Sequence, residues 1–167
     1  LGRLLAPFAI AEIVVVERLA PAPAKGILKP VSPNLLAALS EQLDLAQIEV
    51  SPGLVRYRNE ASMSVAAVLD GGTVSGVSLH SFASGREALT SNSLSADSSS
   101  RTEFSGPVAA GQEIYLSVPA TTQWDVTVGG QRAVRADALG WASTFEPRIS
   151  GIAEISHRTE SRHRILM

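Results

Sequence analysis

The stretch EIYLSVPATTQWDVTVGGQRAV, residues 113–134, decides the fold. Residues 113–118 and 124–128 are short runs rich in β-branched and aromatic side chains, the composition of strands. Gly129-Gly130 follows, and two adjacent glycines suit a two-residue hairpin turn because both central positions of that turn need positive φ. Gln131 then opens a return strand expected over 131–136. Outward from this hairpin the same rhythm continues, with runs at 64–69, 73–82, 103–108, 143–147 and 152–157 separated by Gly, Ser, Asn and Asp. Such regularly spaced short strands are the signature of an antiparallel sandwich or barrel. Residues 90–102, mostly Ser with Asn and Asp, read as either a long loop or a Ser-rich strand edge.

Upstream of residue 61 the pattern differs. Residues 3–10 read as a short apolar helix and 12–17 as a β-branched strand bounded by charges. Prolines and glycine at Pro21, Pro23, Gly26 and Pro30 make a surface connector. Ser32-Pro33 predicts a helix start, with Ser32 as N-cap and Pro33 at the first helical position. That helix is expected to reach about Leu43, with Leu35, Leu36, Leu39 and Leu43 on its packed face. Strands at 46–50 and 54–59 follow, joined by a Ser51-Pro52-Gly53 turn. The fold class is therefore α+β, mainly β: a small α/β unit over residues 1–60, then an antiparallel β-sandwich, jelly-roll-like, over residues 61–167.

Composition limits function. The 167 residues are 45% hydrophobic but only 18% charged, less than the roughly 25% usual in soluble domains. A net charge of −2 offers no concentrated cationic face for nucleic acid, so none is expected as a partner. With no cysteine, thiolate metal sites, disulfides and cysteine nucleophiles are excluded. His80, His157 and His163 lack metal-ligand spacing; His157 and His163 lie about 20 Å apart at a strand rise of roughly 3.3 Å per residue. No Gly-x-Ser-x-Gly elbow and no phosphate-binding loop occurs, since Gly71-Gly72 and Gly129-Gly130 open no helix. Catalytic residues, cofactors and metals are accordingly expected to be none. The candidate ligand contacts are Trp124, Asp125, Asp137 and Trp141, because sugar-binding proteins stack pyranose rings on exposed indoles. The competing reading places both indoles in an aromatic-poor core.

The segments LLAPFAIAEIVVVERLAP (4–21), LSEQLDL (39–45) and PGLVRYRNEASMSVAAVL (52–69) together resemble the C-terminal extracytoplasmic region of large polytopic membrane glycosyltransferases of the actinobacterial type. A short helix before a Val-rich strand and a later strand ending in Asn carry the likeness, here at Ala11 to Val16 and at Arg56-Tyr57-Arg58-Asn59. Downstream, Trp124, Gly129-Gly130 and Gly140-Trp141-Ala142 match that region's strand-opening Trp, hairpin and aromatic strand. Ala11-Glu12 departs from a usual basic-aromatic pair, and Arg58 from a usual acid. The resemblance implies a noncatalytic accessory module at the extracytoplasmic face of the bacterial cell membrane. The nucleotide-sugar chemistry would lie elsewhere in a parent chain that continues beyond both ends, and that remainder would be its partner. A cell-envelope glycan is the further partner of the alternative, a carbohydrate-binding module using Trp124 or Trp141. Arg148, Arg158, Arg162 and Arg164 near the end would sit close to a flanking transmembrane helix and meet anionic headgroups.

Overall fold

Gly129 and Gly130 adopt φ of 55° and 78°, and Gln131 pairs with Val128 across them, so the hairpin expected from the glycine pair forms. The computed structural model describes residues 1–17, 31–51, 53–70, 74–84, 90–96, 102–121 and 123–158. The connector at 21–30, Gly71-Gly72, and the terminal Arg162, His163 and Arg164 fall outside these residues. The chain divides into two units, Leu1–Met63 and Ser64–Met167.

In the first unit, α1 (Gly2–Leu5) runs into a short 3-10 turn (Ala6–Phe8) and then β1 (Glu12–Val16). Helix α2 (Pro33–Ser40) precedes β2 (Leu45–Ser51) and β3 (Leu54–Asn59), and the antiparallel sheet has the order β1-β3-β2. Val15, Val55 and Tyr57 form a small core with Leu39 and Leu45. The Tyr57 hydroxyl, which would be costly to bury alone, shares a hydrogen with Ser40 Oγ at 3.1 Å. Asn59, fully buried at the end of β3, donates to the carbonyls of Gly2 and Ile10, both at 2.9 Å, and so ties the opening helix to the sheet. A Cβ on Gly2 would lie 2.3 Å from Asn59 Oδ1, which explains glycine there. Two expectations for α2 are corrected. Ser32 sits at the N-cap, but its side chain makes no capping bond. The helix also stops at Ser40, where Gln42 Nε2 donates back to Ala38 O at 3.1 Å, leaving Leu43 fully exposed and Leu35 half exposed.

The second unit is an antiparallel β-sandwich of two five-stranded sheets. One contains β4 (Ala66–Asp70), β5 (Thr90–Ser93), β8 (Glu113–Leu116), β11 (Val134–Ala138) and β12 (Ala142–Glu146), in the order β11-β12-β8-β4-β5. The other contains β6 (Ser95–Ala96), β7 (Phe104–Val108), β9 (Trp124–Val128), β10 (Gln131–Arg132) and β13 (Gly151–His157), in the order β10-β9-β13-β7-β6. Only Leu94 separates β5 from β6, and only Ala133 separates β10 from β11. At each side of the sandwich a single run of chain therefore leaves one sheet and enters the other. Counting each such run as one strand, the described residues give the eight strands and strand order of a jelly roll, circularly permuted so that β4 comes first rather than last.

Both crossing residues point into the core. Leu94 and Ala133 are buried with Ala66, Val68, Ile114, Leu116 and Phe145 from one sheet and Val108, Val126, Val128, Ala153 and Ile155 from the other. Their amides are not wasted by the turn: Leu94 N donates to Ala66 O and Ala133 N to Val126 O, each at 3.0 Å. Room for Leu94 comes from Gly106 on β7, where a Cβ would come within 2.7 Å of Leu94 Cδ2. The Ser-rich segment is thus a strand edge over its described part. Strands β7 and β13 alternate buried and exposed residues, whereas β4 and β8 are buried on both faces.

Two sequence expectations fail here for identifiable reasons. The strand expected over 131–136 is broken at Ala133 by the crossing. The strand expected over 73–82 is limited to isolated bridges at Ser75 and Ser78, after which α3 (Leu79–Ser84) begins. Gly76 takes φ of 69°, and Ser78 Oγ accepts from the Ser81 amide at 3.1 Å, a helix cap that ends the extended run. Because Leu94 fills the crossing, Leu94→Ala should lower stability by about 2–5 kcal/mol in urea denaturation, against about 0.5 kcal/mol or less for an exposed change such as Ser95→Ala.

Candidate functional site

Strand parity builds the site. Trp124 shares the inward face of β9 with Val126 and Val128, but at the strand's first residue it is only partly buried against the core. Its ring meets His157, its partner across β13, edge-on with centroids 4.9 Å apart. Asp125 faces the opposite way, as does Arg132, which pairs with Thr127 on the other arm of the hairpin. Arg158 directly follows β13, its amide anchored to Gln123 O at 2.9 Å, so its side chain also falls beside Asp125.

Beside them lies a cleft of about 350 Å³ lined by Trp124, Arg132, Ala133, Arg135, Phe145 and Arg158. Trp124 and Phe145 supply an apolar interior with Ala133, and the three arginines form a cationic rim. The cleft sits where β10 crosses to β11, since Ala133 is its corner and Arg132 and Arg135 flank it. Trp124 is both partly buried against the core and open to the cleft.

The rim is held by ion pairs. Arg158 grips Asp125 bidentately, Nε to Oδ2 at 2.5 Å and Nη2 to Oδ1 at 2.6 Å, while Arg132 Nη2 donates to the same Oδ1. Arg135 Nε donates to Ser143 Oγ and its Nη2 to Asp137 Oδ1, both at 3.1 Å. The hydrogen bond from Arg158 is the largest influence on the Asp125 carboxyl; burial opposes it, but with the two guanidinium charges and the bond from Arg132 added, the carboxyl is held below the usual aspartate range. Asp125 is therefore an ionised anchor and cannot serve as a general acid near neutral pH.

Of the four residues singled out from sequence, Trp124 lines this cleft, and Asp125 holds two of its lining arginines from outside it. Asp137 is 81% exposed on β11 and reaches the cleft only through Arg135. Trp141 lies apart, in the β11–β12 turn, where its amide donates to Ala138 O and its carbonyl accepts from Ala120. Nothing in the sequence alone distinguishes Arg132, Arg135 or Phe145, and Arg158 stands out only as part of the basic end. The hairpin register does contain a signal: with Gly129-Gly130 as the turn, Arg132 falls diagonally across from Asp125 on one face. A second depression, lined by Pro107, Val108, Ala109, Gln112, Ser150, Gly151 and Ile152, has its two polar side chains committed to the amides of Ala109 and Ala110. Among the described residues, no group of three His, Asp or Glu is placed to hold a metal.

Compared with protein-family models, curated proteins and solved structures, the chain matches none.

Because its folded-state pKa is depressed, Asp125 contributes stability that is complete above the unfolded value of about 3.9 and lost as pH falls through the lower folded value. A carboxyl-carbon NMR titration should place the Asp125 midpoint below 3.9 and move it upward in Arg158→Ala. A midpoint at or above 3.9 in the unsubstituted chain would contradict the ion-pair assignment.

Proposed function

We propose that this chain is a noncatalytic extracytoplasmic module of a cell-envelope, glycosyltransferase-like polytopic membrane protein, and that it binds saccharide at the Trp124 cleft. The single observation that carries the binding role is the half-buried indole of Trp124, locked edge-on by His157 and open to a cleft with polar donors at its rim. A fixed aromatic face offers a sugar ring apolar contact without ordering cost, and rim donors can meet its hydroxyls. This is the sequence-based alternative narrowed to one of its two indoles.

A noncatalytic role is favoured by the state of the acids. Asp125 is held ionised between two arginines, and Asp137 is largely solvated beside a third. Hydrolysis of a glycosidic bond by paired carboxyls calls for one acid with a raised pKa, which Asp125 opposes. The membrane-protein context is supported by the likeness of the segments at 4–21, 39–45, 52–69 and 113–147. No helix among the described residues is long and apolar enough to cross a membrane.

Titrating the chain with cell-envelope polysaccharides while following tryptophan fluorescence tests this reading. Trp124→Ala should weaken binding about thirtyfold, on the order of 2 kcal/mol, whereas Trp141→Phe should leave affinity unchanged. No spectral or calorimetric response to any envelope glycan, or equal affinity in Trp124→Ala, would overturn it.

A further inference from the structure

Neutral sugars do not need three arginines. From the charge balance of the cleft we propose that its ligand is an acidic saccharide, bound through a uronic acid carboxylate that the rim arginines receive while Trp124 stacks on the ring. This rests on the saccharide-binding reading above and specifies its ligand class.

Two guanidinium groups, of Arg132 and Arg158, share one carboxylate, Asp125. Among the described residues, this group of two arginines and one aspartate holds one positive charge in excess, and Arg135 adds a third guanidinium whose partner Asp137 is mostly solvated and so neutralises it weakly. Asp125 engages Nε and Nη2 of Arg158 and Nη2 of Arg132. Neither Nη1 group is taken by Asp125, and each guanidinium carries five donors in a fixed plane. Asp125 therefore orders the two arginines on its own side of the rim without saturating their donors or their charge. An excess of positive charge favours an anionic ligand, and a planar carboxylate matches the fork of a guanidinium.

The lining divides between apolar and cationic parts. Trp124, Ala133 and Phe145 occupy the interior, while Arg132, Arg135 and Arg158 lie at the rim and come from both sheets. In the proposed pose the pyranose ring lies against the indole, turned so that its C5 carboxylate meets the arginines. Two of the three arginines are readily accessible, Arg132 at 64% and Arg158 at 50% exposed.

Calorimetry on the full chain with tetragalacturonate, its methyl ester and a phosphodiester-linked neutral oligosaccharide decides the matter. The acid should bind at least tenfold more tightly than the ester, and the advantage should shrink as salt rises. Arg132→Ala and Arg158→Ala should each remove most of that advantage, weakening the acid by a clearly larger factor than the ester, with circular dichroism melts confirming that both variants fold. Equal affinity for acid and ester, loss of both ligands alike in the arginine variants, or preference for the phosphodiester would overturn the uronate inference. If acid and ester bind equally and both fail with Trp124→Ala, saccharide binding stands and only the acidic class falls. If neither binds, both readings fall together.

Discussion

The second unit depends on two places where the chain changes sheets without leaving the fold. At Leu94 and at Ala133 a strand ends in one sheet and resumes in the other one residue later, and the residue between turns inward. An open sandwich would expose edge amides and carbonyls at each side, which invites pairing with other chains. Here each edge strand is continued by the strand that forms the edge of the facing sheet. The crossing residues keep their backbone hydrogen bonds, through Ala66 O and Val126 O. Burial of the Leu94 side chain adds about 1.5–3 kcal/mol to hold one crossing closed.

The two crossings differ in what they leave at the surface. At the first, Leu94 fills its corner and Gly106 yields space to it. At the second, the corner residue is only an alanine, too small to close the gap between the sheets. The deficit becomes the cleft, with Trp124 and Phe145 as its walls. Strand alternation then sets Arg132 beside Asp125 and beside Arg158 from the neighbouring β13. Structural economy at one corner of the sandwich and a candidate binding site are thus the same feature.

Much of this architecture can be read in the residues. Gly129-Gly130 specifies a hairpin because few other dipeptides tolerate two positive φ values, and β9 starts and ends where its composition says. The crossing at Ala133 is invisible to such reading, since a small apolar residue between Arg132 and Val134 interrupts no pattern of alternation. Helix α3 escapes for another reason: the Ser78 cap is a local hydrogen bond that outcompetes an extended pattern of modest strength. The packed face of α2 was overdrawn because four leucines at helical spacing cannot all be covered by a three-stranded sheet, and Leu43 lies past the helix end. For the cleft, Trp124 and Asp125 stand out as an aromatic beside an acid. The arginines do not, because Arg158 lies 33 residues from Asp125 and only the pairing of β13 with β9 brings them together.

Everything proposed for the cleft follows from Ala133 being a buried, hydrogen-bonded corner rather than the middle of a loop. Amide hydrogen exchange at Ala133, followed by NMR, tests that most directly. The account predicts protection comparable to Val126 and Ile155 in the adjoining strands, since the amide is bonded to Val126 O within the core. Exchange at the rate of an exposed loop amide would mean that the chain does not cross between sheets there, and the cleft would lose the element that forms it.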